Sequence, residues 1–232
     1  MPSDQPYNTL IQYWHTKRFQ VLLISLALLL VSSPFLQAYN WFGIFRNVLM
    51  SWIFIEIFHS TARGHKRLLP GSLLVFFAIA ALWAETVLSP GADILAISSA
   101  FIVIFLFFSI VVLAKFIATA ECIDQDIICA AVIVYLLISM VWGFFYATLE
   151  AFVPGSFAMP FETIKSDRLY WFLYFSYVTI TTLGYGDITP LNAKACALAS
   201  TEALIGQIYL VVVVAWLVGM HVSERSRRKE NE

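Results

Sequence analysis

The sequence predicts an all-α membrane protein: six transmembrane helices, plus a reentrant pore helix and glycine-rich loop before the last of them. Three observations carry that prediction. Of 232 residues, 60% are hydrophobic and 12% charged, with a mean hydropathy of +0.81; soluble domains are roughly half apolar and a quarter charged. The apolar residues gather into six runs near the length of about 20 that crosses a bilayer as a helix. A seventh run, 169–182, is too short to cross and ends in glycines.

Taken in order, residues 1–18 are polar and aromatic, close on His15-Thr16-Lys17-Arg18, and form an expected N-terminal segment. The run Phe19–Leu36 is the first span; a signal peptide with Gln37-Ala38 as a weak cleavage site is the competing reading. Trp41–Phe58 is the second span and carries Arg46 and Glu56. Ten residues separate these two, about 15 Å along a helix, so they do not pair; Arg46 either snorkels outward or meets a neighbouring helix. A basic loop, 59–67, leads to a third span over Leu69–Leu88, and an acidic turn to a fourth over Ile94–Phe116. These four spans form a domain over 19–120. The pore region covers 121–220: an acidic connector, a span over Ile127–Leu149, the short run, and a span over Ala193–Met220. Residues 221–232 form a basic tail.

Charge sets the orientation. With both termini in the cytoplasm, Lys17, Arg18, Arg63, Lys66, Arg67, Lys115, Arg225, Arg227, Arg228 and Lys229 lie inside, and Lys165, Arg168 and Lys194 lie outside. Ten against three satisfies the positive-inside rule. The stretch 149–193 is then external, so its apolar part must dip into the membrane and return. Irregular backbone at that depth is tolerated only where protein or a water-filled path surrounds it.

That irregular backbone is Thr181-Thr182-Leu183-Gly184-Tyr185-Gly186-Asp187. Glycine accepts left-handed backbone without a Cβ clash. Alternating it with larger residues lets successive carbonyls point one way, and several such loops around an axis form rings of oxygen for a dehydrated cation. The aromatic run Tyr170–Thr181 reads as a half-membrane helix aimed at the loop, its partial negative end favouring a cation at the membrane centre. Three cysteines (Cys122, Cys129, Cys196) lack metal-ligand spacing and read as small apolar residues. No nucleotide loop, catalytic dyad or metal cluster occurs, so no enzyme activity and no cofactor are expected.

Residues Tyr170 to Pro190 resemble the pore loop of potassium channels, with Leu183 where valine is more usual. The span–loop–span unit over 127–220 is similar to that family's pore module. The stretches Tyr135–Tyr146, Pro154–Phe157 and Glu202–Gly206 resemble small bacterial potassium channels. The resemblance implies that K⁺ binds carbonyls of Thr182, Leu183, Gly184, Tyr185 and Gly186, with the Thr182 hydroxyl at the inner end. It implies that the Tyr185 ring points from the axis into an aromatic collar, and that Asp187 bonds the pore helix. The matching partner is Tyr174 where relatives carry tryptophan, and Val178 stands where some bacterial relatives carry glutamate; Thr181 adjoins them. These departures bear on filter stability and inactivation.

In the last span, Gly206 reads as a hinge or as a packing glycine. Helical spacing puts Gln207, Leu210 or Val211, and Val214 on one face, toward an inner cavity. Glu202 is a carboxylate at membrane depth, which is functional by default or bonded to the base of the pore helix. Residues 94–114 hold no arginine, which excludes a conventional voltage sensor. One loop per chain implies a homotetramer in the lipid bilayer, conducting K⁺ passively in a bacterial-type inner membrane. A non-selective cation channel, a K⁺ transporter-like protein and a non-conducting sensor subunit are the alternatives. The gating stimulus is not legible.

Overall fold

The computed structural model describes residues 6–36, 39, 41–61, 65–88, 92–120, 122–159 and 168–230. Residues 89–91 within the acidic turn, 62–64 of the basic loop, the Gln37-Ala38 cleavage-site reading, and 160–167 with Lys165 lie outside the described residues. Seven helices follow in order: α1 (Pro6–Leu36), α2 (Phe42–Thr61), α3 (His65–Leu88), α4 (Ala92–Ala118), α5 (Gln125–Phe152), α6 (Arg168–Ile180) and α7 (Ala193–Glu230). Two short strands, β1 (Phe157–Ala158) and β2 (Thr189–Pro190), pair antiparallel.

Among the described residues, four stretches are long and apolar enough to cross a membrane: Phe42–Ser60, Asp93–Ala118, Gln125–Phe152 and Ala193–Met220. Gly71–Ala84 in α3 is a shorter apolar segment. α1 begins within the expected polar N-terminal segment and breaks at Lys17, whose φ of −111° and ψ of 16° leave the helical region. The apolar part therefore starts as a separate helix at the last of the basic residues. α7 runs on through the basic tail to Glu230 instead of stopping at the apolar limit.

Helices α1 to α4 pack in sequence, and α1 and α4 both lean on α5. Their common core includes Leu22 and Leu26 of α1, Ile53 and Phe54 of α2, Leu82 of α3, Phe105 of α4 and Leu137 of α5. A second core gathers aromatic rings between α5, β1 and α6: Trp142 and Tyr146 from α5, Phe157 from β1, Phe172 and Phe175 from α6. Phe157 lies 5.3 Å from Phe172 and 5.5 Å from Phe175, both edge-on. Such contacts contribute about 0.5–1.5 kcal/mol per pair beyond area burial.

Burial differs sharply between the two long helices that flank α6. The apolar stretch of α5 is 67% buried, whereas that of α7 is 6% buried. A long apolar helix bare within its own chain needs a bilayer or other subunits to cover it.

Candidate functional site

The site begins where α6 ends. Leu183 N donates to Val178 O at 3.0 Å, and Thr182 N donates to Thr179 O at 3.0 Å. With Thr182 at φ +58°, this is a Schellman closure, in which a left-handed residue caps the last turn. Glycine is usual there. A β-branched threonine costs on the order of 1–3 kcal/mol at such a backbone angle, so neighbouring bonds must hold it. Gly184 N adds a second bond to Val178 O at 3.3 Å, and the Thr181 hydroxyl donates to Tyr177 O at 2.6 Å.

Left-handed backbone then recurs at every second residue: Thr182 at φ +58°, Gly184 at +58° and Gly186 at +77°. Alternation of the two hands is the geometry that turns successive carbonyls to one side instead of opposite sides. Among the described residues, no hydrogen-bond donor reaches the carbonyls of 182–186. All of 181–186 is exposed in the single chain, Leu183 at 53% and Tyr185 at 66%. A backbone that leaves a run of its oxygens unpaired at membrane depth is costly unless something else coordinates them.

The loop is anchored on both sides. Tyr174 Oη donates to Asp187 Oδ2 at 2.6 Å, which ties α6 to the loop's exit. Beyond it, β2 pairs with β1, Leu191 N donates to Ser156 O at 2.8 Å, and Asn192 Nδ2 donates to Ser156 Oγ at 2.7 Å. Ser156 is in turn held by Glu150 at the end of α5. That carboxylate accepts from the backbone N–H groups of Gly155, Ser156 and Phe157, at 2.9, 2.9 and 3.3 Å. Val178 is buried on α6 beneath these anchors.

The C-terminal end of α6 is fixed by its neighbours. Tyr135 Oη of α5 donates to Ile180 O at 2.8 Å. α7 passes so close at Gly206 that an added Cβ would lie 2.5 Å from Ile180 Cγ1 and 2.8 Å from Ile180 O. Gly206 is thus a point of close approach between α7 and the end of α6. Gln207, Leu210, Val211 and Val214 lie on exposed positions of α7.

Glu202 does not join that exposed face. It is fully buried among α5, α6 and α7, with Tyr146 Oη donating to Oε2 and Ser176 Oγ against Oε1. Ser176 Oγ also meets Ser139 O at 2.6 Å and Ser139 Oγ at 2.7 Å. Tyr135, Ser139, Tyr146, Glu150, Ser176 and Asn192 were not singled out by the sequence reading. The available signal was that a hydroxyl in an apolar span must find a partner.

Behind the loop, an apolar groove of about 440 Å³ opens between α1 and α6, lined by Leu29, Ser33, Tyr174, Tyr177, Leu183 and Tyr185 among others. Among the described residues, no cluster of His, Cys, Asp and Glu could hold a metal ion.

This arrangement, a half-length helix feeding an irregular loop between two long apolar helices, is of the kind the sequence predicts for a pore unit. A family model described as ion channel matches residues 127–222, which start in α5 and end in α7. Residues 127–222 are thus similar to an ion-channel domain, and the apolar helices are those of a multi-pass membrane protein. No curated protein and no solved structure matches the chain.

Proposed function

We propose that the protein is a K⁺-selective channel that conducts potassium passively through a homotetrameric filter built from residues 182–186. The observation that carries this reading is the alternation of left-handed backbone at Thr182, Gly184 and Gly186, with the carbonyls of 182–186 free of protein donors. Four such loops around an axis form stacked rings of oxygen that replace the hydration shell of K⁺. Thr182, Leu183, Gly184 and Tyr185 are the K⁺ ligands in this reading, and Tyr174, Val178, Thr181 and Asp187 support them. The bare α7 supports the fourfold assembly, since neighbouring subunits would cover part of it. Gln207, Leu210 and Val214 then face an inner cavity.

Gating in this reading does not rest on a voltage-sensing α4, because residues 94–114 carry no arginine. Both termini lie in the cytoplasm by the balance of basic residues, and the membrane is a bacterial-type inner membrane. The decisive experiment is cation flux into liposomes holding the purified protein, with K⁺ compared with Na⁺ and Gly184→Ala as the control. K⁺ flux is expected to exceed Na⁺ flux strongly in the wild type. In Gly184→Ala it is expected to collapse, because the methyl group meets no neighbour but forces a side chain onto φ +58°. Equal K⁺ and Na⁺ flux would turn the reading toward a general cation channel. Unchanged selective flux in Gly184→Ala would remove the pore assignment.

A further inference from the structure

Four polar side chains meet in the apolar interior where α5, α6 and α7 join: Ser139, Tyr146, Ser176 and Glu202. Ser139, Ser176, Glu202 and Tyr146 are each fully buried. Four close oxygen–oxygen contacts link them: Tyr146 Oη to Glu202 Oε2, Ser176 Oγ to Glu202 Oε1, Ser176 Oγ to Ser139 O at 2.6 Å, and Ser176 Oγ to Ser139 Oγ at 2.7 Å. Each contact needs one hydrogen between its oxygens. A hydroxyl supplies one hydrogen, and an ionised carboxylate supplies none.

The hydrogens can be counted. Tyr146 gives its hydrogen to Oε2, and Ser139 gives its hydrogen to Ser176 Oγ. The single hydrogen of Ser176 cannot reach both Ser139 O and Glu202 Oε1. With Glu202 ionised, three hydrogens serve four contacts, and one pair of oxygens faces each other bare. A hydrogen on Oε1 completes the set: Glu202 donates to Ser176 Oγ, and Ser176 donates to Ser139 O.

Among the described residues, the surroundings offer no substitute cation. From α5, the titratable groups near Glu202 are Tyr146, which touches it, and Tyr135. From α6 it meets the hydroxyl of Ser176, while Tyr174 and Tyr177 line the groove on the other side of that helix. β2, a Thr-Pro pair, brings no titratable group. On α7 itself, Lys194, Cys196 and Tyr209 lie more than one turn away.

We propose that Glu202 is a positioning residue for the filter that works as a neutral carboxyl, its proton clamping α7 to the middle of α6. Ser176 stands one turn before Ile180, where α6 hands over to the loop, so the clamp sets how firmly that helix end is held. Loss of the proton leaves two oxygens in contact without a hydrogen, and α6 loosens from α7. K⁺ conduction therefore falls as the pH rises through the titration of Glu202. This inference rests on the reading of the chain as a K⁺ channel.

The test uses full-length protein in liposomes at symmetrical pH, with wild type, Glu202→Gln and Tyr146→Phe compared. Glutamine is neutral at every pH and its amide can donate to Ser176. Wild-type K⁺ flux is expected to fall by about tenfold toward alkaline pH, the scale of one lost buried hydrogen bond. Glu202→Gln is expected to be flat over the same range, and Tyr146→Phe to keep the fall, which excludes tyrosine as the titrating group. Infrared spectra at neutral pH are expected to show the carbonyl band of a protonated carboxyl that Glu202→Gln removes. A wild-type flux that is selective yet flat with pH, or a Glu202→Gln flux that falls with it, would overturn the proposal and leave the channel reading standing. An unchanged carboxyl band in Glu202→Gln would overturn it too. Absence of K⁺ flux at every pH would instead sink the channel reading itself.

Discussion

Helices α1–α4 and the unit α5–α7 are both apolar bundles, yet they are joined differently. In the pore unit each junction carries named polar bonds: Ser139 with Ser176, Tyr135 with Ile180 O, Tyr146 with Glu202, and Tyr209 Oη with Ala131 O at 2.7 Å. In the front bundle, directed bonds join α2 to α3, where Asn47 Nδ2 donates to Thr86 Oγ1 at 2.6 Å and Trp83 Nε1 to Ser51 Oγ at 3.1 Å. Elsewhere in it, Ser32, Glu56, Ser60 and Ser99 each keep a buried oxygen with no hydrogen-bond partner among the described residues. Apolar packing holds helices together but tolerates sliding; directed bonds fix register. A loop that presents oxygens at defined positions needs the second kind of support.

The contrast is sharpest at the glycines. Gly206→Ala should be the most damaging of the substitutions compared here. The new methyl would stand 2.5 Å from Ile180 Cγ1 and 2.8 Å from a backbone oxygen that already accepts the Tyr135 bond. Side-chain rotation cannot clear a backbone atom, so α7 and α6 must separate. Overpacking of this kind costs about 1–3 kcal/mol, and the upper end applies. A fall in the thermal midpoint of the detergent-solubilised assembly, together with loss of K⁺ flux, is the expected result. Retained flux with an unchanged midpoint would show that the α6–α7 contact does not hold the loop.

A smaller effect is expected at Tyr174→Phe. The substitution removes only the hydroxyl that donates to Asp187 Oδ2 at 2.6 Å. A bond to a charged group contributes about 1.5–3 kcal/mol, and partial exposure places this one at the lower end. The bundle should stay assembled while the loop's exit loosens. Flux that starts at the wild-type rate and then decays faster is the expected signature. A decay matching the wild type would assign the exit's stability to the Glu150–Ser156–Asn192 clasp instead.

The helical fold and the loop were legible because each depends on a local rule. Apolar length marks a helix that crosses, and paired glycines mark backbone that must turn left-handed, as Gly184 and Gly186 do. Thr182 was harder to read, since its left-handed φ is imposed by the Schellman closure of α6 and runs against the preference of a β-branched residue. The partners of Glu202 were not legible. Ser176 and Tyr146 lie 26 and 56 residues away and carry no periodic signal. The depth of a carboxylate pointed to the pore helix as one of two readings, and Ser176 of α6 does meet it, but nothing in the sequence named that residue or Tyr146. The lean of α1 on α5 and of α7 on the end of α6 likewise comes from tertiary packing. Small and apolar residues are common to every membrane helix and do not say which neighbour they meet.

The same reasoning gives the smallest effect to Gly43→Ala in α2, the front bundle's counterpart to Gly206. A Cβ built at Gly43 meets nothing within 4 Å, and its φ is not in the left-handed region. Alanine there adds no clash and reduces the freedom of the unfolded chain, a gain of up to about 1 kcal/mol inside a helix and less in a first turn such as this one. The thermal midpoint should therefore stay level or rise slightly, and K⁺ flux and its preference over Na⁺ should not change. A Gly43→Ala protein that lost selectivity would mean that the N-terminal end of α2 bears on the loop. Leu29 and Ser33, which line the groove behind Tyr185 from α1, a helix that packs on α2, would be the route to examine, and the division between an apolar front bundle and a bonded pore unit would have to be redrawn.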